Sequence, residues 1–494
     1  MNEFEFFKEL SAIPRPSGHE DKIAAYLCDF AQKRDLYCLR DEYNNVFIRR
    51  PAAPGYENVS PVLLQAHTDM VCEAAPGVCH DFDNDKLKLC VKDGRVYAEG
   101  TTLGGDDGAG VAVMLDILAD EALTAGELEC LFTASEETGM EGIFGFDFSL
   151  LHSERVINLD SEEEGCACIG CAGGRRVNLS VPLERIKSES EARQYRISVS
   201  GLAGGHSGTD IHLGRESAVK IMGRLLDRLY ALYPFNLVSL SGGGRDNVIP
   251  ASAEAVVSFY DDADIKNAKS ETAVFRKELT GMLCAEDRQG FCLDFKRAEG
   301  LSAETEMLTL KSTSAVISAV LLSPQGVTDR ARAEGDGNGE YGDIILASVN
   351  LGCLSIGNGP DARSSLKLGY LIRSDNELRG ERTARVIYRL AHVLGGRAET
   401  ESSYPGWDYV RGTPLQNAYA RACGEVLGQS PRFTVIHAGL ECGVIASRLR
   451  ERGMSPDIIS IGPDVTGIHT PGESMDIDSL SRMGEIVRRM LKGI

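Results

Sequence analysis

Two patterns of apolar and polar residues alternate along the first third of the chain. Short apolar runs predict strands, and an apolar stripe that returns every three to four residues predicts a helix. The clearest stripe contains Val111, Met114, Leu115 and Leu118 and predicts a helix over 108–123. This alternation indicates an α/β domain built on a sheet. The predicted strands are 45–49, 62–66, 128–134 and 155–159, and the other predicted helices are 4–10 and 21–33.

The pattern changes near Arg193. The run 195–200 alternates apolar and polar residues, as a half-exposed strand does. The predicted elements that follow are helices 216–232, 264–285, 305–322 and 377–394, and strands 253–260, 291–297, 344–356 and 365–373. The predicted apolar face of the first helix contains Val219, Met222, Leu225, Leu226 and Leu229. We interpret this region as an α+β unit inserted into the first domain. The predicted segments are therefore 1–185, 186–397 and 398–494, of which the first and last form one domain.

The last segment returns to the earlier pattern. Its predicted elements are helices 415–427 and 477–491 and strands 433–437 and 458–461. It also contains His469, so we expect it to pack back on the first segment.

Size and charge restrict the classes of protein that the chain can belong to. A chain of 494 residues is too long for one hydrophobic core, so two or three domains are expected. The net charge of -21 disfavours nucleic acid and anionic membranes as partners. No apolar run is long enough to cross a bilayer, and the N-terminal residues lack the basic flank and apolar core of a signal peptide. A cytoplasmic location is expected.

The fourteen cysteines stand mostly alone inside apolar runs, where a reduced thiol packs as a small apolar group. The one cluster contains Cys166, Cys168 and Cys171, and it has no second pair of cysteine or histidine at zinc-finger spacing. Free thiols are therefore predicted there.

Acids and histidines follow the predicted strands. They are His67 and Asp69, the pair Glu136 and Glu137, Asp160, Asp106 just before the helix, and His469 after the last strand. Open α/β sheets place ligands at the carboxyl ends of their strands. Each of these residues alone has an ordinary explanation: a helix cap for Asp106 or its neighbour Asp107, a solvated turn for the Glu pair, a structural role for His469. Together, two imidazoles and several carboxylates without a thiolate predict a site for zinc, manganese or cobalt.

The spacing suggests which of these residues bind metal, which supports a ligand and which acts as a base. His67 and Asp69 project from the same face of a strand, so one can bind metal while the other supports it. Adjacent buried carboxylates repel each other, and a metal on one member of the pair Glu136–Glu137 removes that conflict. The other member can then act as a base toward water.

At this point the sequence resembles the co-catalytic di-zinc metallopeptidases, a family that includes carnosinases, aminoacylases and tripeptidases. The resemblance is most specific to its bacterial cytosolic dipeptidases, and it covers essentially the whole chain. It rests on nine short runs of sequence. These are QAHTDMV at 65–71, GTTLGGDDG at 100–108, SEETGM at 135–140, NLDSEEEG at 158–165, GGHSG at 204–208, RDNVIP at 245–250, YPGW at 404–407, HAGLECG at 437–443 and GIH at 467–469.

The resemblance implies a role for each matching residue. It implies that Asp106 bridges two metals, that His67 and Asp160 complete one site, and that Glu137 and His469 complete the other. Asp69 would orient His67, and Glu136 would be the general acid and base. The bacterial dipeptidase branch usually has Asp-Asn where this chain has Asp106-Asp107, and acidic pairs occur elsewhere in the family.

The inserted unit resembles the family's lid and dimerisation domain, so a homodimer is expected. His206 would polarise the scissile carbonyl, and Asn247 and Arg373 would bind the substrate's carboxylate. His437 could line the pocket or pack structurally.

The implied activity is metal-dependent hydrolysis of unblocked dipeptides, with Xaa-His and β-alanyl-His among the candidates. Two alternatives stay open: an amidohydrolase acting on N-acyl or carbamoyl amino acids on the same scaffold, and a non-catalytic metal- or peptide-binding module. Glu136 and the full ligand set argue against the last.

Overall fold

The computed structural model describes residues 2–187, 193–298, 306–332, 343–358 and 364–493. The chain divides into two compact units. Unit 1 contains Met1–Cys171, Trp407–Ile436 and Leu440–Ile494, and unit 2 contains Ala172–Gly406 and His437–Gly439. Each unit has its own hydrophobic core.

The first part of unit 1 alternates helices and strands, as the apolar pattern predicts. Its elements are α1 (Glu3–Ser11), α2 (Asp21–Gln32), β1 (Tyr37–Arg40), β2 (Val46–Arg50), β3 (Val62–His67), β4 (Leu89–Lys92), β5 (Arg95–Ala98), α3 (Gly105–Ala119), β6 (Leu128–Thr133), α4 (Glu141–Gly145), a 3-10 turn (Phe148–Leu150), β7 (Arg155–Asn158) and β8 (Cys166–Cys171).

Unit 2 begins with a long strand and continues as an α+β arrangement. Its elements are β9 (Gly173–Pro182), β10 (Arg185–Lys187), β11 (Gln194–Ser200), α5 (Ala218–Leu232), β12 (Phe235–Gly243), β13 (Ala253–Phe259), α6 (Asp262–Thr280), α7 (Ala285–Gly290), β14 (Cys292–Arg297), β15 (Glu306–Leu308), α8 (Leu310–Leu322), β16 (Gly326–Arg332), β17 (Asp343–Asn358), β18 (Ser364–Ser374), α9 (Glu377–Val393) and β19 (Arg397–Tyr404).

The chain then completes unit 1. The remaining elements are α10 (Pro414–Val426), β20 (Arg432–Ile436), α11 (Glu441–Glu451), β21 (Asp457–Ser460), β22 (Val465–Thr466), β23 (Ser474–Asp476) and α12 (Ile477–Gly493). Strands β21, β22 and β23 and helix α12 all belong to unit 1, so the last part of the chain lies in the same unit as the first part.

The main sheet of unit 1 is mixed and has eight strands in the order β1-β2-β6-β3-β7-β21-β8-β20. Strand β3 pairs in parallel with β6 on one side and β7 on the other. The carboxyl ends of these three strands therefore lie along one edge of the sheet. A smaller antiparallel sheet has the order β22-β23-β5-β4.

Helix α3 differs from its prediction in position and in burial. It begins at Gly105 and ends at Ala119, whereas the apolar stripe predicts 108–123. The stripe suggests one buried face, but nearly every residue from Asp107 to Leu118 is buried. The helix packs against both the sheet and α1 and α12, so it has no face left for solvent. A helix enclosed in this way loses the polar side on which amphipathic prediction depends.

The large sheet of unit 2 is antiparallel and has nine strands. Eight follow the order β14-β11-β13-β12-β17-β18-β9-β19, and β16 pairs with β17. Strands β10 and β15 form a separate pair. Helix α5 buries Val219, Met222, Leu225, Leu226 and Leu229, the apolar face that the sequence predicts.

Two predicted helices of unit 2 are too long. Residues Glu306–Leu308, predicted as helix, form strand β15. The side chain of Thr309 then accepts a hydrogen bond from the backbone N–H of Ser312, which caps α8 so that it begins at Leu310. Helix α6 ends at Thr280 and is followed by Gly281, well before the predicted end at Ala285. Residue 305 lies outside the described residues.

The limits of the units fall at 171/172 and 406/407, while the sequence places the changes at 185/186 and 397/398. Strands β9 and β19 account for the difference, because both pair within the sheet of unit 2. All fourteen cysteines are free thiols. Among the described residues, none of the helices combines the length and the apolar character needed to cross a membrane.

Candidate active site

Three neighbouring parallel strands place His67, the pair Glu136–Glu137 and Asp160 at one edge of the main sheet of unit 1. His67 is the last residue of β3. Glu136 and Glu137 follow shortly after β6, and Asp160 lies two residues beyond β7. Asp106 lies in the first turn of α3, and His469 lies in the turn between β22 and β23. The structure therefore brings all five predicted metal ligands to unit 1.

The first donor group contains His67, Asp106 and Asp160. The Nε2 atom of His67 lies 2.9 Å from Oδ1 of Asp106 and 3.4 Å from Oδ1 of Asp160. His67 is almost fully buried, with 1 % of its side chain exposed. One donor atom from each of the three residues lies within 4.8 Å of the others, which is close enough for a single cation.

The second donor group contains Asp106, Glu137 and His469. The Nε2 atom of His469 lies 2.8 Å from Oε1 of Glu137 and 3.2 Å from Oδ2 of Asp106. Asp106 thus belongs to both groups and turns one oxygen toward each histidine. This is the arrangement needed for a carboxylate that bridges two cations.

The electrostatics of this cluster fit a cation. Hydrogen bonds that His469 donates to the carboxylates of Asp106 and Glu137 raise the pKa of His469 to about 10. Burial raises the pKa of Asp160 to about 7, despite the opposing influence of His67. Burial also acts to raise the pKa of Asp106, but hydrogen bonds from His469 and His67 outweigh it and hold that pKa low. Three carboxylates and two imidazoles are hard and borderline ligands of the kind that zinc, manganese and cobalt accept.

Asp69 lies behind His67 and organises the turn after β6. Its Oδ1 is 3.5 Å from Nδ1 of His67, a ring nitrogen that is buried without a hydrogen-bond partner. The Asp69 carboxylate accepts hydrogen bonds from the backbone N–H groups of Glu136 and Glu137, at 3.0 and 3.2 Å, and from the Ser17 hydroxyl at 2.7 Å. It therefore couples the position of the glutamate pair to the strand that carries His67.

Glu136 lies beside the donor groups but outside both of them. It shares a third cluster with His67 and Glu137, whose donor atoms also lie within 4.8 Å of one another. Burial raises the pKa of the Glu136 carboxyl well above its ordinary range. A carboxyl of this kind, next to a cation site, is suited to exchanging protons.

The two adjacent aspartates before α3 have different roles. Asp107 caps the helix, because its Oδ1 accepts a hydrogen bond of 3.0 Å from the backbone N–H of Gly110, and its Oδ2 accepts one of 3.3 Å from that of His67. The peptide bond between Asp106 and Asp107 is cis. The capping role that the sequence left open between the two residues thus falls to Asp107, and Asp106 faces the histidines.

Two residues without a predicted role, Glu473 and Arg15, hold the loop before α3. The Glu473 carboxylate accepts hydrogen bonds from the backbone N–H groups of Leu103 and Gly105, at 2.8 and 2.7 Å. The Arg15 guanidinium donates to the backbone carbonyls of Thr68 and Gly104. Glu473 follows His469 by four residues, which is the only sequence signal that could have pointed to it.

Unit 2 gathers a second group of the predicted residues. Nη2 of Arg373 lies 3.2 Å from Nε2 of His206, and Nη1 of Arg373 donates to the hydroxyl of Tyr404 at 3.1 Å. Nε2 of His437 lies 2.7 Å from the hydroxyl of Ser348. Burial and the charge of Arg373 lower the pKa of His206, and the same two causes lower the pKa of His437 to about 3. Both imidazoles are therefore neutral near pH 7.

His206 and Arg373 present two donors to the same point. The backbone N–H of Thr209 donates to Nδ1 of His206 at 3.2 Å, which favours the tautomer that carries its proton on Nε2. Nε2–H then faces the guanidinium, which also only donates. The Nε atom of Arg373 is buried without a hydrogen-bond partner. An anionic oxygen placed there would satisfy donors that the protein leaves unpaired.

Asn247 contacts this group through its backbone, since its carbonyl accepts a hydrogen bond of 2.8 Å from the N–H of Ser207. Gly208 lies at the centre of the group. A Cβ at this position would meet the His437 carbonyl oxygen at 2.3 Å, Cε1 of His206 at 3.0 Å and Nε of Arg373 at 3.1 Å. Tyr404, Ser348 and Gly208 were not assigned roles from the sequence.

Imidazoles and carboxylates around one shared aspartate, at the carboxyl edge of parallel strands, are characteristic of hydrolases that use bound cations. Residues 63–493 match the family described as Peptidase family M20/M25/M40. The chain therefore belongs to this family and is a hydrolase of peptide bonds. The family resemblance and the α/β class inferred from the sequence are confirmed.

Relatives within the family agree with this assignment. The chain is 31% identical over 492 residues to the cytosol non-specific dipeptidase of Escherichia coli (strain K12), which covers 99% of this chain and 97% of the relative. The crystal structure of aminoacylhistidine dipeptidase from Vibrio alginolyticus matches 100% of this chain and 96% of its own, with a TM-score of 0.89 and 29% identity. Aminopeptidase PepT from Bacillus cereus has the same fold, with a TM-score of 0.60 and 16% identity, and the match covers 100% of this chain and 98% of that one.

Proposed function

We propose that the protein is a metal-dependent dipeptidase. The observation that carries this proposal is Asp106, whose two oxygens face His67 and His469 separately, with Asp160 and Glu137 completing the two donor groups. The similarity along nearly the whole chain to a non-specific dipeptidase and to an aminoacylhistidine dipeptidase supports dipeptides as substrates.

Two divalent cations would occupy the two groups. His67, Asp160 and one oxygen of Asp106 would hold the first, and His469, Glu137 and the other oxygen of Asp106 would hold the second. We propose zinc, and the same ligands also accept manganese or cobalt. When bound, such a pair supplies Lewis acidity, which makes water more acidic and a carbonyl carbon more electrophilic.

Glu136 is the residue that moves the proton. Its carboxylate accepts a proton from the attacking water, whose oxygen bonds to the carbonyl carbon of the peptide. Glu136 then returns the proton to the nitrogen as the C–N bond breaks, so that the amine leaves neutral. Asp69 contributes by holding the backbone of Glu136 and the imidazole of His67 in place.

The donors of unit 2 suit the substrate's oxygens. Neutral His206 donates from Nε2 to an oxygen that becomes negative during the reaction. Arg373 would pair with the substrate's carboxylate, and its unpartnered Nε supports this role. Asn247 and His437 lie in the same group and would help to shape it.

The test combines metal analysis with a panel of substrates. We expect about two zinc or manganese ions per chain after reconstitution, loss of activity on chelation, and its return with metal. The panel contains unblocked dipeptides, among them Xaa-His and β-alanyl-His, beside N-acetyl and carbamoyl amino acids.

Each outcome of the panel has a clear meaning. Preferential hydrolysis of dipeptides supports the proposal. Preferential hydrolysis of the N-acyl or carbamoyl compounds would replace it with the amidohydrolase alternative. Binding of metal without hydrolysis of any compound would indicate a non-catalytic binding module.

We also propose a cytoplasmic homodimer that assembles through unit 2, which the family resemblance suggests as a lid and dimerisation domain. The cytosolic relative in Escherichia coli supports the location. Light scattering coupled to size-exclusion chromatography tests the dimer, since a monomeric mass at micromolar concentration would contradict it. Cell fractionation tests the location.

A further inference from the structure

A fully buried carboxylate lies beneath the edge that carries the candidate metal ligands. Glu441 is the first residue of α11, and none of its side chain is exposed. Its Oε2 accepts a hydrogen bond of 2.5 Å from Nε2 of Gln65 and one of 2.7 Å from the hydroxyl of Thr133. The amide oxygen of Gln65 in turn accepts a hydrogen bond of 2.7 Å from Nδ2 of Asn158. One carboxylate thus links β3 and β6 directly and reaches β7 through Gln65.

The side chains linked to Glu441, those of Gln65, Thr133 and Asn158, each lie near the carboxyl end of a strand, two or three residues before a site residue. Gln65 and Asn158 precede His67 and Asp160 by two residues, and Thr133 is the last residue of β6, three before Glu136. Residues two apart on a strand project from the same face, so Gln65 lies directly behind His67. Asn158 and Thr133 end the strands that lead to Asp160 and to the turn with Glu136. Asn158 also accepts a hydrogen bond of 3.4 Å from the backbone N–H of Asp160.

Burying this carboxyl group is costly, which argues that its place has a specific use. Its second oxygen, Oε1, is buried without a hydrogen-bond partner. Burial raises the pKa of Glu441 to about 8, so the group is mostly protonated near pH 7 and the cost is that of a buried polar group. An apolar side chain would avoid this cost, but it would leave Gln65 and Thr133 without their acceptor.

Glu129 provides the contrast within the same strand. It is also fully buried and lies near the opposite end of β6. Both its oxygens are satisfied, since Oε1 accepts from the N–H of His152 and Oε2 from the N–H and hydroxyl of Ser153. Glu129 thus closes a loop far from the ligands, whereas Glu441 joins the three strand ends that present them.

We propose that Glu441 is a positioning residue of the metal centre, which holds the ends of β3, β6 and β7 in register so that His67, Glu137 and Asp160 meet at the right spacing. This inference rests on the proposed metal site. Groups that orient metal ligands typically change metal affinity by about tenfold to a hundredfold when they are removed. The side chain of Glu441 contacts or reaches three ligand-bearing strands at once, so its removal should weaken metal affinity by a factor within that range.

The test measures metal affinity separately from stability. Zinc affinity is obtained by competition with a chromophoric chelator for the wild type, Glu441→Gln and Glu129→Gln, and the apo forms are unfolded in urea. We expect Glu441→Gln to bind zinc at least about tenfold more weakly. Glu129→Gln should lower the urea midpoint but keep wild-type zinc affinity within twofold. The visible spectrum of the cobalt-loaded proteins should change for Glu441→Gln only.

A second pair of variants covers the case in which Glu441→Gln does not fold. Thr133→Ser keeps the hydroxyl that Glu441 accepts from, and Thr133→Val has the same shape without it. We expect Thr133→Ser to keep wild-type zinc affinity and Thr133→Val to bind zinc at least about tenfold more weakly. Normal zinc affinity in Glu441→Gln or Thr133→Val, with a wild type that binds two ions, would overturn this inference alone. A wild type that binds no metal would overturn the proposed function and this inference together.

Discussion

Substituting Gly208 by alanine tests the group of donors in unit 2 without touching any metal ligand. A Cβ built on Gly208 would lie 2.3 Å from the carbonyl oxygen of His437, where ordinary contacts begin at 3.4 Å. It would also approach Cε1 of His206 and Nε of Arg373 to 3.0 and 3.1 Å. The backbone oxygen cannot swing away as a flexible side chain could, so the group must open by about 1 Å to admit the methyl.

The size of the effect follows from the cost of that opening. Inserting a methyl into a well-packed place costs about 1–3 kcal/mol. If the cost falls on the arrangement that binds substrate, kcat/KM should fall by about 5-fold to 150-fold, since about 1.4 kcal/mol corresponds to a factor of ten. The loss should appear mainly in KM, because the acids and histidines of unit 1 are unchanged.

The assay is steady-state hydrolysis of a dipeptide, with metal content and the unfolding midpoint measured on the same samples. Gly357→Ala is the matched control in unit 2, because its Cβ would meet nothing within 4 Å. We expect Gly357→Ala to retain wild-type kinetics. If Gly208→Ala kept kcat/KM within twofold of the wild type, or lost its metal along with its activity, the assignment of this group to substrate binding would be wrong.

Two further predictions concern Glu136 and His437. Glu136→Gln should bind metal as the wild type does, because Glu136 belongs to neither donor group around Asp106. Its kcat should nevertheless fall by about a hundredfold to ten-thousandfold, because proton transfer is lost. Glu136→Asp should restore part of the activity, and near-normal turnover of Glu136→Gln would exclude Glu136 as the proton carrier. His437 has its pKa lowered to about 3 in the folded protein, against an ordinary value of 6.5, so the unfolded chain binds a proton more readily. The free energy of unfolding is therefore not reduced by this group above about pH 6.5. It decreases as the pH falls from 6.5 toward 3, by up to about 1.4 kcal/mol per pH unit, because only the unfolded chain takes up the proton. His437→Gln should flatten the pH dependence of the urea unfolding free energy between pH 6.5 and 4.5, and an unchanged slope would contradict the burial of a neutral imidazole.

Much of unit 1 could be predicted because its strands are short apolar runs that stop at polar residues. Strands β3, β6 and β7 lie within a residue or so of the predicted limits, and their ends coincide with His67, the turn before Glu136, and Asn158. Strand β8 was missed because Cys166–Cys171 is uniformly buried and has no alternation to detect. A strand enclosed on both faces carries no period-2 signal.

In unit 2 as well, the apolar pattern predicted some features and missed others. The apolar face of α5 was predicted residue by residue, since one side of that helix meets solvent. The division between strand β15 and helix α8 was not, because it depends on the capping contact of Thr309 rather than on the apolar pattern. The long strands β9 and β19, which set where unit 2 begins and ends, were also not predicted.

The sequence by itself determined which residue types are available for chemistry and that they follow strands, because both are properties of local order along the chain. The pattern of residues alone could not decide which of Asp106 and Asp107 faces the histidines, since the two are adjacent and chemically identical, and only the family resemblance singled out Asp106. Only the tertiary structure assigns the cap to Asp107 and places Asp106 between His67 and His469, which are 402 residues apart. The same holds for Glu441, whose partner Gln65 is 376 residues away. Contacts over such separations arise from the packing of the sheet, and no local pattern records them.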